Sequence, residues 1–296
     1  MKLSNKNASA EAAGLYEFIL ENYGKKIISA VQECPGRGHH ELEMKYLYEN
    51  LGKLPAIRGL DFIHDDYDGV VRRAIEWRLR GGIVTICWHT GVEGNSYPAS
   101  KEETPDFDRL FENGSREREL LLWRWGRAAN ALSALRDEKI PVLWRPFHEF
   151  DGQWFWWGKR GGEAFIKLWR EMYEIFTEKY KLNNLVWVLG YSGAVKPGWY
   201  PGDEYCDVVG SDNYDGTTNS AAWKRLEELT KKPLAFHEVG QLRPIDEYFA
   251  DGCVWSWFMN WHTKYLIEDN PIGLLSDVYN DPRVITLDDI KRRKGF

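Results

Sequence analysis

The chain has little cysteine. Its four, Cys34, Cys87, Cys206 and Cys253, show neither CxxC nor zinc-ligand spacing, which removes a zinc module from consideration. Cys87, Cys206 and Cys253 lie in or at the ends of apolar, strand-like runs, where a buried free thiol is expected; the spacing does not read out a disulfide. There is no apolar run long enough to span a bilayer, and no basic footprint of the kind nucleic acid requires. Lys and Arg number 39 against 45 Asp and Glu, a net charge of -6, so a neutral or basic ligand fits better than a polyanion. The opening MKLSNKNASAEAAG lacks the apolar stretch of a signal peptide. An intracellular protein and a secreted, mature form with an added Met both remain open. There is no early Gly-rich phosphate turn, as a doubly wound sheet would carry. There is also no repeat, low-complexity tract or Pro/Ser linker, and one domain over 1–296 is expected.

What the chain does have is aromatics: 15% of residues, with 15 Trp. About half of these indoles are expected in a large core. The remainder point toward sugar binding, because the C–H faces of a pyranose pack on the negative face of an indole and need no charge on the ligand.

Eight strands can be read: Lys26–Gln32, Ala56–Phe62, Gly82–Trp88, Val142–Phe147, Leu185–Leu189, Asp207–Ser211, Leu234–Phe236 and Val254–Met259. Most are continuous apolar runs, as expected of strands buried on both faces. Helical spacing appears in Glu11–Tyr23, Asp68–Leu79, Arg116–Lys139, Glu163–Lys179 and Asn219–Lys231. The alternation predicts an α/β protein with parallel strands, a single (β/α)8 TIM barrel. The connection Thr90–Ile140 is long and loop-like in its first half, either shaping an active site or forming a disordered insertion.

Two strand exits carry the chemistry. Pro141–Gly158 (PVLWRPFHEFDGQWFWWG) runs from a strand through Arg145, His148 and Glu149 into a cluster of aromatics. Leu234–Gly240 (LAFHEVG) ends a second strand at Glu238. Charged residues at the C-terminal ends of barrel strands face the mouth, where catalysis occurs in this fold. A pair of carboxyl groups, one protonated and one ionised, is what glycoside hydrolysis needs. Arg145 either reaches inward to a carboxylate or forms a barrel-interior salt bridge.

These residues resemble glycoside hydrolase family twenty-six, chiefly endo-β-1,4-mannanases. WRPFHEFDGQWFWWG (Trp144–Gly158) is similar to that family's acid/base motif. RGLDF (Arg58–Phe62), CWH (Cys87–His89), WYPGDEYCDVVGSDNY (Trp199–Tyr214), FHEVG (Phe236–Gly240) and WFMNW (Trp257–Trp261) match elsewhere. The resemblance implies Glu149 as acid/base and Glu238 as nucleophile, with His148 beside the sugar at the cleavage point. It implies that Tyr214 hydrogen-bonds the nucleophile, with Asp212 two positions earlier. It puts Trp261 under the −1 sugar, and His89, Trp88 and Trp154 along the cleft. Asp151 is an added acid near Glu149 that either shifts its pKa or caps the turn.

The implied activity is retaining, endo-acting cleavage of mannan, glucomannan or galactomannan, needing no cofactor or metal. Mixed-linkage β-1,3-1,4-glucan and β-1,3-xylan are alternative substrates, and a non-catalytic carbohydrate-binding barrel is the alternative class. A monomer acting on a polysaccharide or oligosaccharide is expected, with neither nucleic acid nor membrane as partner. Among the remaining candidates, His39–His40 reads as a solvated loop. Asp65, Asp66 and Asp68 read as a turn and helix start, with Asp68 as N-cap. Trp123, Trp125 and Trp169 read as packing residues.

Overall fold

Eight parallel strands close on themselves in the computed structural model, which describes residues 1–291; residues 292–296 of the expected domain lie outside the described residues. The strands are β1 (Ile27–Gln32), β2 (Ile57–Asp61), β3 (Ile83–Cys87), β4 (Val142–Arg145), β5 (Leu185–Tyr191), β6 (Val208–Asn213), β7 (Leu234–Val239) and β8 (Trp257–Asn260). Each pairs with the next, and β8 returns to β1, giving the (β/α)8 barrel. A two-residue strand, β9 (Val284–Ile285), adds to the foot of β1 and has no apolar run that would announce it.

The period of two along a strand sorts the core into two layers. Ile28, Ala30, Ile57, Leu143, Val186, Val188, Ala235, Trp257 and Met259 form the inner cluster. Val84, Ile86, Trp144, Trp187 and Phe236 face the helices. Helix Ala10–Asn22, capped by Ser9, adds Leu15, Tyr16, Phe18 and Ile19 to the inner cluster and so plugs the N-terminal end. Full burial of chains of this size contributes roughly 1.5–3 kcal/mol each.

Several boundaries differ from the sequence reading for local reasons. β4 stops at Arg145 because Phe147 and Glu149 take φ of 51° and 52°, outside strand geometry. β7 runs on through Glu238 to Val239. Asp66, not Asp68, holds the N-cap position of helix Tyr67–Leu79; Asp68 lies in its first turn, where a carboxylate faces the positive end of the helix dipole. The Thr90–Ile140 connection is not a disordered insertion. It contains helices Tyr97–Glu102, Phe107–Leu110 and Arg116–Asp137, and Glu103 accepts backbone N–H groups of Val92, Glu93 and Gly94 at 2.6, 3.0 and 2.8 Å. Trp125 and Trp169 are core, whereas Trp123 is exposed and lies against Arg124 and Arg127. All four cysteines are free. No helix among the described residues is long and apolar enough to cross a membrane.

His40 is half-buried rather than solvated, 3.0 Å from the Cys34 carbonyl and beside an ion network at the mouth end of β1. There the buried Glu33 accepts from Arg58 Nε and Arg73 Nε, both at 2.8 Å. Removing one partner of such a network leaves the others uncompensated. Glu33→Ala is therefore expected to lower the unfolding free energy by about 3–5 kcal/mol. Denaturant titration checks this, and a loss below about 1 kcal/mol, as for a surface pair, would contradict it.

Candidate active site

β7 aims its carboxylate by breaking its own alternation. Ala235 belongs to the inner cluster and Phe236 faces outward, so simple parity would turn Glu238 away from the barrel. The register shifts here, Ser211 pairing with Phe236 and Asp212 with Glu238. Two residues of β7 thus oppose one of β6, a bulge that re-aims a side chain. His237 turns beneath Asp212, its Nδ1 3.6 Å from Oδ1, and Glu238 reaches the mouth. Its Oε1 accepts from Arg145 Nη2 at 2.7 Å and its Oε2 from the Tyr214 hydroxyl at 2.6 Å. Arg145 is therefore both things the sequence allowed, a barrel-interior cation and the partner of a carboxylate that reaches the mouth.

Glu149 lies beyond β4 rather than at its end. Its left-handed backbone is held by a 2.7 Å bond from its N–H to the Gly190 carbonyl, which offsets roughly 1–2 kcal/mol of strain for a non-glycine residue. Trp154 folds back to donate its indole N–H to Glu149 Oε2 at 2.8 Å. A Cβ on Gly152 would come within 2.1 Å of that ring, so this turn needs glycine. Burial, and then the nearby Glu238, push the Glu149 carboxyl up to about 7. Burial and Glu238 also hold the Asp212 carboxyl well above its ordinary range, favouring its neutral form; Arg145 Nη1 stands 3.6 Å from Asp212 Oδ2. One oxygen from each of Glu149, Asp212 and Glu238 lies within 4.8 Å of the others.

Glu149, Glu238 and Tyr214 line a cleft of about 460 Å³ with His89, His148, Phe155 and Trp261. A second, more open cavity of about 560 Å³ shares Glu149 and Tyr214 with it and continues past Trp154, Asn213 and Thr217. Glu149 and Tyr214 thus sit where the two cavities meet, with Glu238 in the first. Among the described residues two triads have spacing that could hold a cation, but neither is free to do so. In Asp61–Cys87–His89 the acid and imidazole bind each other, and burial keeps the thiol neutral. In the carboxylate triad Arg145 already supplies the positive charge.

Of the expected site residues, Trp88 does not reach the cleft. It shares the outward parity of Val84 and Ile86, packs on Phe62 and Trp144, and donates to Asn95 Oδ1 at 2.9 Å. The indole surplus is likewise mostly structural: every Trp except Trp123, Trp154 and Trp261 is buried. Within the aromatic cluster, Trp156 and Trp157 point inward and donate to the Thr90 and His148 carbonyls. Asp151 accepts the Ser192 N–H at 2.8 Å, tying the loops after β4 and β5 together.

The sequence reading missed Asp61, Tyr97, Phe155, His262 and Tyr265, all of which line the cleft. Asp61 closes β2 and could have been found as a charged strand end; Tyr97 and Tyr265 arrive on short helices with no such marker.

Tyr214→Phe removes one hydrogen bond to a carboxylate at unchanged volume. Such a bond contributes about 1.5–3 kcal/mol, so kcat should fall roughly 10- to 100-fold with little change in Tm. Steady-state kinetics and thermal melts check this, and an unchanged kcat would show the contact to be incidental.

Comparison with known proteins agrees with this geometry. The Glycosyl hydrolase family 26 model matches residues 4–289. A mannan endo-1,4-beta-mannosidase of Thermothelomyces thermophilus is 32% identical over 98% of this chain and 63% of its own length. Mannan endo-1,4-beta-mannosidase B of Piromyces sp. is 28% identical over 97% of this chain and 53% of its own. The chain thus spans less than two thirds of these curated relatives. Among solved structures, a ruminal GH26 endo-beta-1,4-mannanase superposes with a TM-score of 0.93 at 29% identity, covering 99% of this chain and 71% of that one. A beta-mannanase from a symbiotic protist of the termite Reticulitermes speratus, complexed with gluco-manno-oligosaccharide, gives 0.88 at 31%, covering 98% and 97%. By fold, by the whole length of the match and by the residues at the barrel mouth, this chain belongs to glycosyl hydrolase family 26.

Proposed function

We propose that the chain hydrolyses internal β-1,4-mannosidic bonds of mannan, glucomannan or galactomannan with retention of configuration. Glu238 is the nucleophile and Glu149 the general acid/base. One observation carries this reading: two carboxyl groups with oxygens within 4.8 Å stand in opposed surroundings. Glu149 holds its proton up to about 7, whereas Glu238 is met by a guanidinium and a phenol that both donate to it. Carboxyl groups about 5 Å apart suit direct attack on the anomeric carbon, while inverting pairs stand farther apart to admit a water between them.

In the first step Glu149 gives its proton to the glycosidic oxygen as Glu238 bonds to the anomeric carbon. In the second, the Glu149 carboxylate takes a proton from water, and that water displaces Glu238. Arg145 and Tyr214 fix the direction from which Glu238 attacks, and Trp261 offers a face to the flattening ring. The mannan assignment rests on the relatives, whose names specify mannan and one of which is complexed with a gluco-manno-oligosaccharide.

The test is a panel of glucomannan, galactomannan, barley β-glucan and β-1,3-xylan, with Glu149→Gln and Glu238→Gln beside the parent chain. Cleavage of the mannans by the parent alone is expected. Cleavage confined to β-glucan or xylan would keep the mechanism and replace the substrate. Binding without turnover would leave a carbohydrate-binding barrel.

A further inference from the structure

Three side chains at the floor of the cleft form a line that ends beside Glu238. Asp61 is buried; its Oδ1 accepts the backbone N–H of Ile63 at 3.0 Å and of His89 at 3.1 Å, and its Oδ2 lies 2.6 Å from His89 Nδ1. His89 Nε2 is 3.1 Å from His148 Nε2, and that nitrogen is 3.7 Å from Glu238 Oε1. Two ring nitrogens at this distance hold one proton between them, because two would collide and none would set lone pair against lone pair. Asp61 settles the far end of the line. A carboxylate that accepts three donors is stabilised in its ionised form, so His89 carries a proton on Nδ1.

Where the shared proton sits decides whether the pair is charged. A buried carboxylate needs a counter-charge close by. Several neighbouring elements present groups to Asp61 and His89. Cys87 on β3 is held neutral by burial. Arg145 on β4 is taken up by Glu238. His262, after β8, is pushed toward its neutral form by burial. Tyr97 and Trp261 present only rings. His89 is left as the counter-charge.

We propose that Asp61 is a positioning residue that keeps His89 an imidazolium, donating Nε2–H to a neutral His148 and leaving a fixed positive charge in the cleft wall near Glu238. Burial opposes charge on both rings. At His89 the Asp61 carboxylate outweighs it, whereas at His148 burial and Arg145 act together, so the two rings are driven in opposite directions. The effect on turnover rests on the glycosidase reading; the proton position does not.

The test uses the whole chain labelled with ring-15N histidine, observed at pH 7.5, about one unit above an ordinary imidazole. His89→Gln identifies the signal by its loss. Both His89 nitrogens are expected to be protonated, and His148 to show an unprotonated Nε2. In Asp61→Asn, His89 should become neutral, and kcat/KM should fall about 10- to 100-fold, the loss of one charge-assisted hydrogen bond. A neutral His89 accepting from His148 in the parent chain would overturn the proposal, and that spectrum needs no variant to fold. Because the spectrum reads a proton and not turnover, a chain with the expected spectrum and no activity would sink the catalytic reading alone.

Discussion

Glu238→Gln is expected to lower kcat on mannan by at least roughly 10⁴-fold, in line with the removal of a nucleophile from other covalent hydrolases. The carboxamide has the size of the carboxylate and can still accept from Arg145, so the barrel mouth keeps its shape. What it cannot do is form the glycosyl ester or carry negative charge toward an oxocarbenium-like centre. The loss should therefore fall on kcat far more than on KM, with circular dichroism reporting an intact fold. Activity within tenfold of the parent would place the nucleophile elsewhere.

Glu149→Gln is expected to cost about 10²- to 10⁴-fold on polysaccharide, the usual contribution of a positioned acid. The cost should shrink on an aryl glycoside whose leaving group departs without a proton. pH gives an independent view. A carboxyl raised to about 7 by burial and by Glu238 is protonated below that value and loses its proton above it. Activity that needs the acid form should thus fall as pH rises through about 7, and the carboxamide, which has no proton to lose, should abolish this limb. A limb that persists unchanged in Glu149→Gln would assign it to another group.

Much of this site is legible in the chain, for a physical reason. Barrel strands are short apolar runs, and a charged residue at or just past the end of one is conspicuous; Arg145 at the end of β4, Glu149 beyond it and Glu238 next to the end of β7 all stand out this way. What parity alone misreads is the aim of a side chain. The bulge at His237–Glu238 reverses the expected facing of Glu238. The positive φ of Phe147 and Glu149 ends β4 early. Trp88 reads as a cleft residue by position in a motif, although strict alternation from Val84 turns it outward. The abundance of Trp overstates the sugar surface, because core packing buries twelve of the fifteen indoles, as at Trp144, Trp169 and Trp187. The Asp61–His89–His148 line joins three strand exits far apart in sequence, and no local spacing signals it.

Double displacement by Glu149 and Glu238 is tested most directly by the stereochemistry of the first product. Proton NMR of a β-1,4-manno-oligosaccharide, recorded in the first minutes of hydrolysis before mutarotation, should show the new reducing end as the β-anomer, followed by slow appearance of α. An α-anomer formed first would mean single displacement by water and would contradict the assignment of Glu238 as nucleophile.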